Sequence, residues 1–184
     1  FQGKKAGLRV RRTPLGLTCE VTSGFEGVVA VREPSWAEAP SLALNSRPQP
    51  TSRGGGFLRL EGRFAAGDRI EAKLAPRLRL LTPKGEEMPL ASLGSDPVRA
   101  ALYCGPWLVV ADEQIDPFFF GEPWPGNVVT LPRDLAPRAT AEGRVRLEVT
   151  YEHDGFRGSL PTQLRPMGET PADEQRTIAF WLNY

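Results

Sequence analysis

Hydrophobic and polar residues alternate with a period of two over several parts of this chain. The alternation runs through residues 17–22, 69–74 and 144–151. Its apolar members are Leu17, Cys19 and Val21, then Ile70, Ala72 and Leu74, then Val145, Leu147, Val149 and Tyr151. Because successive side chains of a β-strand point to opposite faces, this pattern predicts strands with one buried and one solvated face. A helix would need apolar spacings of three and four residues, which these segments lack.

Three other segments, residues 28–31, 108–111 and 178–182, are apolar on both faces. They predict central strands, or strands that are covered on both sides. Further strands are predicted at 7–11, 41–45, 56–61, 77–81, 98–104, 127–131 and 159–165. Proline and glycine separate these segments, and none has a helical period. The whole pattern predicts an all-β fold of about ten short strands, arranged as an antiparallel β-sandwich or jelly roll.

The length of the chain favours one domain. It has 184 residues, 40% of them hydrophobic, which suffices for a single hydrophobic core. Residues 1–3 match the end of a protease-cleavable expression tag, so the predicted single β-sandwich domain comprises residues 4–184. Within it, residues 45–56 are predicted to form a long hairpin loop and residues 132–143 a second loop.

Charge and hydropathy argue against two classes of partner. The 23 basic and 22 acidic residues nearly cancel, so no basic field attracts nucleic acid or an anionic membrane. No segment approaches the ~18 apolar residues of a membrane-spanning helix, and no signal-peptide pattern occurs. We therefore expect neither nucleic acid nor membrane as a partner. The compartment stays unknown, with the cytoplasm favoured.

The cysteines and the single histidine provide no recognisable reactive site. Cys19 and Cys104 lie far apart among apolar residues, which favours buried, inert thiols over a disulfide. With His153 as the only histidine, no metal site or other cofactor is predicted. The pair Asp154-Gly155 is a hairpin signal, which predicts that His153 lies at a solvated turn. No catalytic triad is apparent, so no catalytic residue is predicted.

The segment with the most binding chemistry is residues 112–125, in which aromatic and acidic residues are interrupted by prolines. The candidate binding or docking residues are Phe118, Phe119, Phe120, Trp124, Asp116 and Glu122. Exposed aromatic clusters dock on partner domains, and this is the first interpretation. A second is that the rings cap the open end of the sandwich. A third is sugar binding, with rings stacked on sugar faces and acids accepting hydroxyl hydrogen bonds. Loop acids such as Asp112 are expected to be solvated rather than catalytic.

Several motifs follow one another in a fixed order. They are Arg-Glu-Pro-Ser-Trp at 32–36, Leu-Ala-Leu-Asn at 42–45, Phe-Ala-Ala-Gly-Asp at 64–68, Cys-Gly-Pro-Trp-Leu-Val at 104–109 and Ile-Ala-Phe-Trp-Leu at 178–182. Together they resemble the C-terminal β-sandwich that follows the helical barrel in glycoside hydrolase family 127, the β-L-arabinofuranosidase family. Ser46 and Phe64 stand where that family has glycine and tryptophan, and its paired tyrosines are absent at Met167-Gly168.

The resemblance implies a jelly roll attached to a six-hairpin helical barrel. In that family the barrel carries catalysis, with glutamate and cysteine residues around a zinc ion, and no such cluster is recognisable in this sequence. We therefore predict a non-catalytic domain that supports or completes a helical-barrel catalytic domain absent from this chain. The alternative is a free-standing carbohydrate-binding module that uses the aromatic loop. A further option is self-association through an apolar patch.

Overall fold

The computed structural model describes residues 7–13, 15–121, 124–153, 156–169 and 177–184. These residues form strands β1 to β18 and four short 3₁₀ helices, with no α-helix among them. The all-β prediction is therefore confirmed. No helix in the described part of the chain is long and apolar enough to cross a membrane. Contacts divide the chain into two compact units, Phe1–Pro76 and Arg77–Tyr184. The boundaries predicted for a single domain stay a prediction.

Unit 1 contains two antiparallel sheets. Its strands are β1 (Gly7–Thr13), β2 (Gly16–Ser23), β3 (Phe25–Arg32), β4 (Ala37–Leu44), β5 (Arg47–Pro48), β6 (Ser52–Gly54), β7 (Phe57–Phe64) and β8 (Arg69–Pro76). The larger sheet has the order β1-β2-β8-β4-β5, and the smaller sheet has the order β3-β7-β6. Alternate residues of both sheets form one buried cluster, which includes Val21, Ile70 and Leu58. The period of two in the sequence therefore identified the core faces of β2 and β8.

Two predictions for unit 1 are wrong. Residues 28–31 were expected to be covered on both sides, but β3 pairs only with β7 among the described strands, and Val28 is 52% exposed. Apolar residues on both faces thus do not require a central strand, because surfaces tolerate single apolar side chains. Residues 45–56 are also not one long loop. They contain β5 and β6, whose backbones pair with β4 and β7.

The turn between β4 and β5 is strained at a position without glycine. Asn45 and Ser46 have φ angles of 50° and 64°, as in the hairpin turns that favour Asn-Gly. A side chain in this left-handed region costs roughly 1–2 kcal/mol relative to glycine. We predict that Ser46→Gly raises the free energy of unfolding by about 0.5–1 kcal/mol, after the greater flexibility of glycine in the unfolded chain is subtracted.

Urea denaturation measures this change, and Ser46→Ala is its matched control, since alanine keeps the β-carbon. An equal gain from alanine would contradict the explanation based on backbone strain.

Unit 2 is built around a closed ring of strands. Its strands are β9 (Leu78–Leu81), β10 (Glu87–Met88), β11 (Arg99–Cys104), β12 (Trp107–Asp112), β13 (Val128–Thr130), β14 (Arg138–Ala139), β15 (Val145–Glu152), β16 (Ser159–Pro166), β17 (Ile178–Ala179) and β18 (Trp181–Asn183). Pairing runs β11-β18-β13-β15-β16-β12 and returns to β11. Sequence patterning predicted the strands but not this closure, so a sandwich or jelly roll is not confirmed. The predicted loop 132–143 also contains β14, which pairs with β15.

The core of unit 2 is apolar and continuous. Val145, Leu147, Val149 and Tyr151 of β15 are all buried, as their alternation predicts. Val109, Val110 and Ala111 of β12 are buried as well, in agreement with a strand covered on both sides. The same cluster includes Phe119, which lies in the aromatic segment after β12. The candidate site is therefore anchored in this core.

Candidate functional site

The aromatic loop, defined here as residues 112–127, connects β12 to β13. It contains the 3₁₀ helices Pro117–Phe120 and Trp124–Gly126. Asp116 caps the first helix, because its Oδ1 accepts a hydrogen bond from the Phe119 amide at 3.1 Å. Proline at the first helical position supplies a preset φ angle, and the Gly121 amide closes the helix by donating to the Phe118 carbonyl. The local sequence thus determines where this first 3₁₀ helix begins and ends.

Three of the four candidate rings belong to the packing of unit 2. Phe119 is fully buried and meets the Tyr151 ring edge-on, with centroids 4.9 Å apart. The Phe120 ring contacts the rings of Phe119 and Trp124, with centroid separations of 5.3 Å and 5.4 Å. Both Phe120 and Trp124 are partly buried against the core. The Asn127 side-chain amide donates to the Phe119 carbonyl at 2.7 Å. These contacts favour the capping interpretation for Phe119, Phe120 and Trp124.

Phe118 differs from its neighbours because its side chain is 50% exposed. Its ring stacks on the imidazole of His153, with centroids 4.8 Å apart and planes 28° from parallel. The prediction that His153 is solvated is wrong, since His153 is buried. The prediction that it lies at a turn agrees with the hydrogen bond that the Phe156 amide donates to the His153 carbonyl at 2.9 Å. The period of two in β15 continues past the end of the strand, so Tyr151 and His153 both point inward while Glu152 is exposed. The hairpin signal Asp154-Gly155 lies outside the described residues.

One acid of the loop, Asp116, stabilises the fold through two contacts. Besides capping the helix, Asp116 accepts a hydrogen bond from the Tyr151 hydroxyl. Burial, followed by the charge and hydrogen bond of Asp116, raises the pKa of Tyr151 to about 12. Glu122 lies outside the described residues. The carboxylate of Asp116 therefore holds the loop on the core, and Tyr151 is a neutral donor at physiological pH.

A buried ion pair is the feature that sequence reasoning missed. The Asp112 carboxylate at the end of β12 accepts a hydrogen bond from the guanidinium of Arg165 on β16, and both residues are buried. The expectation that Asp112 is a solvated loop acid is therefore wrong. Strand pairing of Val110 with Arg165 brings the two charges together. The available signal was an acid that directly follows a strand apolar on both faces, which places it at the core boundary.

Both cysteines are buried and free, as predicted. Burial raises the pKa of the Cys19 thiol, and it raises the pKa of Cys104 to about 12. The reactive form of cysteine is the thiolate, so both residues are poor nucleophiles and poor metal ligands near neutral pH. Among the described residues, no three His, Cys, Asp or Glu side chains are grouped to hold a metal ion.

Two cavities adjoin the loop. An open cleft of about 760 Å³ is lined by Ile115 and Asp116 together with residues of β15 and β16. Its volume is typical of a small-molecule site, yet none of the four candidate rings lines it. A second cavity of about 70 Å³ does touch Phe119 and Trp124, but it has room for ordered water rather than a sugar ring. The rings and the larger cleft therefore do not form one aromatic-lined sugar site.

Solved structures share this fold. The chain superposes on a GH127 β-L-arabinofuranosidase from Geobacillus stearothermophilus T6 with a TM-score of 0.58 and 15% identity, over 96% of this chain. The fold is that of a part of the GH127 enzymes. A second GH127 β-arabinofuranosidase gives a TM-score of 0.58 at 15% identity over 95% of the chain, and a protein described as a glycoside hydrolase gives 0.60 at 18% over 95%. The predicted resemblance to family 127 is confirmed at the level of the fold.

The match covers only part of each enzyme. This chain spans 30% to 32% of the length of the three structures. No protein-family model and no curated protein matches the sequence. The structural likeness therefore concerns a β-rich portion that accounts for about a third of the matched enzymes.

Proposed function

We propose that this chain is a non-catalytic part of a glycoside hydrolase similar to the GH127 β-L-arabinofuranosidases. In this proposal it is the C-terminal β-sandwich, and it supports or completes a helical-barrel catalytic domain outside this chain. The observation that carries the proposal is the asymmetry of coverage, at least 95% of this chain against at most 32% of each enzyme. The two antiparallel sheets of unit 1, which share one buried cluster, support a sandwich in that unit.

The chemistry of the described residues supports a non-catalytic role. Glycoside hydrolysis requires paired carboxylic groups or another nucleophile that reaches the substrate. Asp112 is paired with Arg165 in the interior, and Asp116 is engaged by Phe119 and Tyr151. Cys104 is buried with a pKa of about 12. Asp112 and Asp116 are thus already engaged by the fold, and the Cys104 thiol is held protonated.

An activity assay tests the non-catalytic part of the proposal. We expect the purified chain to release no more chromophore from an aryl β-L-arabinofuranoside than a buffer blank does. Cys19→Ser and Cys104→Ser provide the control, because a contaminating enzyme would be unaffected by either change. Turnover that survives purification and is lost in one of these variants would contradict the proposal.

The gene sequence tests whether this chain is part of a larger hydrolase. We expect the reading frame upstream of Lys4 to encode a helical barrel. A start codon or a signal peptide immediately upstream would contradict a catalytic partner in the same polypeptide and would favour an independent binding module.

Phe118 is the observation that favours a second candidate, a carbohydrate-binding module. One face of its ring stacks on His153, and half of the side chain is exposed, as in a platform for a sugar or for a partner domain. Calorimetric titration with arabinan oligosaccharides separates the two roles. Heat that disappears in Phe118→Ala would support sugar binding, whereas the absence of heat in the parent would reject the module and leave Phe118 as a docking residue.

A further inference from the structure

The core face of unit 1 is uncovered at the strand β1. Leu8 and Val10 lie opposite Val21 and Cys19 in the antiparallel register, so all four side chains point to the same face of the sheet. Val21 and Cys19 are buried, whereas Leu8 is 41% and Val10 is 55% exposed. The apolar face of the sheet therefore continues across its outermost strand, where about half of each apolar side chain is exposed.

β1 is also an open edge. Among the described strands it pairs only with β2, so the backbone groups along its other side are available to another strand. The opposite edge of the same sheet, β5, contains two residues and ends at Pro48, which limits further pairing. The edge strand β3 in the smaller sheet keeps its core-side residues Val29 and Val31 buried. In the described part of unit 1, β1 is thus the edge that combines length with an uncovered apolar face.

The charges on β1 select the partner. Arg9 and Arg11 occupy the face opposite Leu8, and Arg12 follows Val10 on the apolar face. Arg9 pairs with Glu20 at 3.2 Å, but Arg11 and Arg12 make no ion pair with any described residue. An added strand that carries acids beside apolar residues would complement this edge, because opposite charges on neighbouring strands stabilise pairing.

The same arginines oppose pairing between two copies of β1. If two copies of β1 pair antiparallel, their apolar faces must lie on the same side of the joined sheet. A shift of the pairing by one residue would place these faces on opposite sides. The central registers that meet this condition place Arg9 against Arg9, Arg9 against Arg11, or Arg11 against Arg11. Like charges directly opposite each other destabilise a strand pair. A second copy of this chain is therefore a poor occupant of the edge.

We propose that β1 binds an extended segment of another polypeptide, with alternating apolar and acidic residues, as an added antiparallel strand. Backbone hydrogen bonds provide the affinity, Leu8 and Val10 provide the apolar contact on one face, and Arg11 provides the selectivity for acids on the other. This surface belongs to unit 1, whereas the aromatic loop belongs to unit 2. It is independent of the proposed function, because the edge exists whether or not the parent protein is a hydrolase.

The test uses two end-capped heptapeptides, one of alternating glutamate and valine and one of alternating lysine and valine, titrated into isotope-labelled protein. We expect the acidic peptide to shift the NMR amide signals of β1, and the lysine peptide to shift none of them. Arg11→Glu should weaken binding of the acidic peptide by about tenfold. Lys84→Glu is the matched control, since it makes the same charge change at an exposed residue of unit 2 and should have no effect.

Three results would overturn the proposal. They are equal binding of both peptides, shifts confined to residues outside β1 and its neighbour β2, and self-association through β1 in the absence of peptide. Turnover in the arabinofuranoside assay would contradict the proposed function but leave this binding unaffected, so failure of one proposal is distinguishable from failure of the other.

Discussion

Asp112→Asn is expected to lower the free energy of unfolding by roughly 3–5 kcal/mol, because it leaves the guanidinium of Arg165 buried without a counter-charge. Asparagine has nearly the same shape as aspartate and can still accept the hydrogen bond from the Gln114 amide, which the Asp112 carboxylate accepts at 2.9 Å. The substitution therefore removes charge rather than volume. Equilibrium urea denaturation, followed by tryptophan fluorescence, measures the loss.

A double-mutant cycle separates two free energies: the cost of burying one charge without its partner, and the net contribution of the ion pair to stability. Arg165→Met alone should also be strongly destabilising, since it removes the guanidinium that pairs with the buried Asp112 carboxylate. Asp112→Leu combined with Arg165→Met should lose much less than the sum of the losses for Asp112→Leu alone and Arg165→Met alone, because no uncompensated charge then stays in the interior.

The exposed pair between Arg138 and Glu148 provides the control within the same unit. Its side chains are 71% and 53% exposed, so Glu148→Gln should cost less than about 1 kcal/mol. A similar small cost for Asp112→Asn would show that the Asp112–Arg165 pair is solvated, and our account of this part of the core would fail.

The sequence predicted individual strands better than their partners. Strict alternation at residues 69–74 and 144–151 identified β8 and β15 together with their buried faces, because side-chain direction in a strand depends only on position parity. Pairing depends on contacts between distant segments. The ring closes where β11 and β12 pair around Gly105, which has a φ angle of 58°, and where β12 meets β16. Local pattern contains no information about that choice.

In the candidate site, too, the sequence predicted the local segment but not its contacts with the rest of the fold. Composition and prolines alone located the aromatic segment. They did not predict that Phe118 is exposed while Phe119 is buried. A 3₁₀ helix directs successive side chains about a third of a turn apart, so adjacent phenylalanines face solvent and core. His153 and Asp112 were misplaced for a related reason. His153 directly follows β15 and Asp112 is the last residue of β12, and the local signals for a turn or a loop obscured the burial that each strand imposes.

Phe119→Ala is expected to cost about 3–5 kcal/mol in the free energy of unfolding, the range for deletion of a fully buried aromatic ring. The ring is in edge-to-face contact with Tyr151 and Phe120, and its removal leaves a cavity beneath the loop. Loss of the ring should also loosen the cap, because Asp116 and Asn127 hold the backbone of the same residue. Urea denaturation measures the stability, and near-ultraviolet circular dichroism reports on the packing of the neighbouring rings.

Phe118→Ala is the matched control, since it makes the identical chemical change one residue earlier. With half of that side chain exposed, we expect a loss below about 1 kcal/mol. A large difference between the two variants means that the Phe119 ring holds the loop on the core, whereas the Phe118 ring lies at the surface and is accessible. Equal losses would contradict that division, because Phe118 would then be as much a part of the core as Phe119 and could not serve as a docking or sugar-stacking surface.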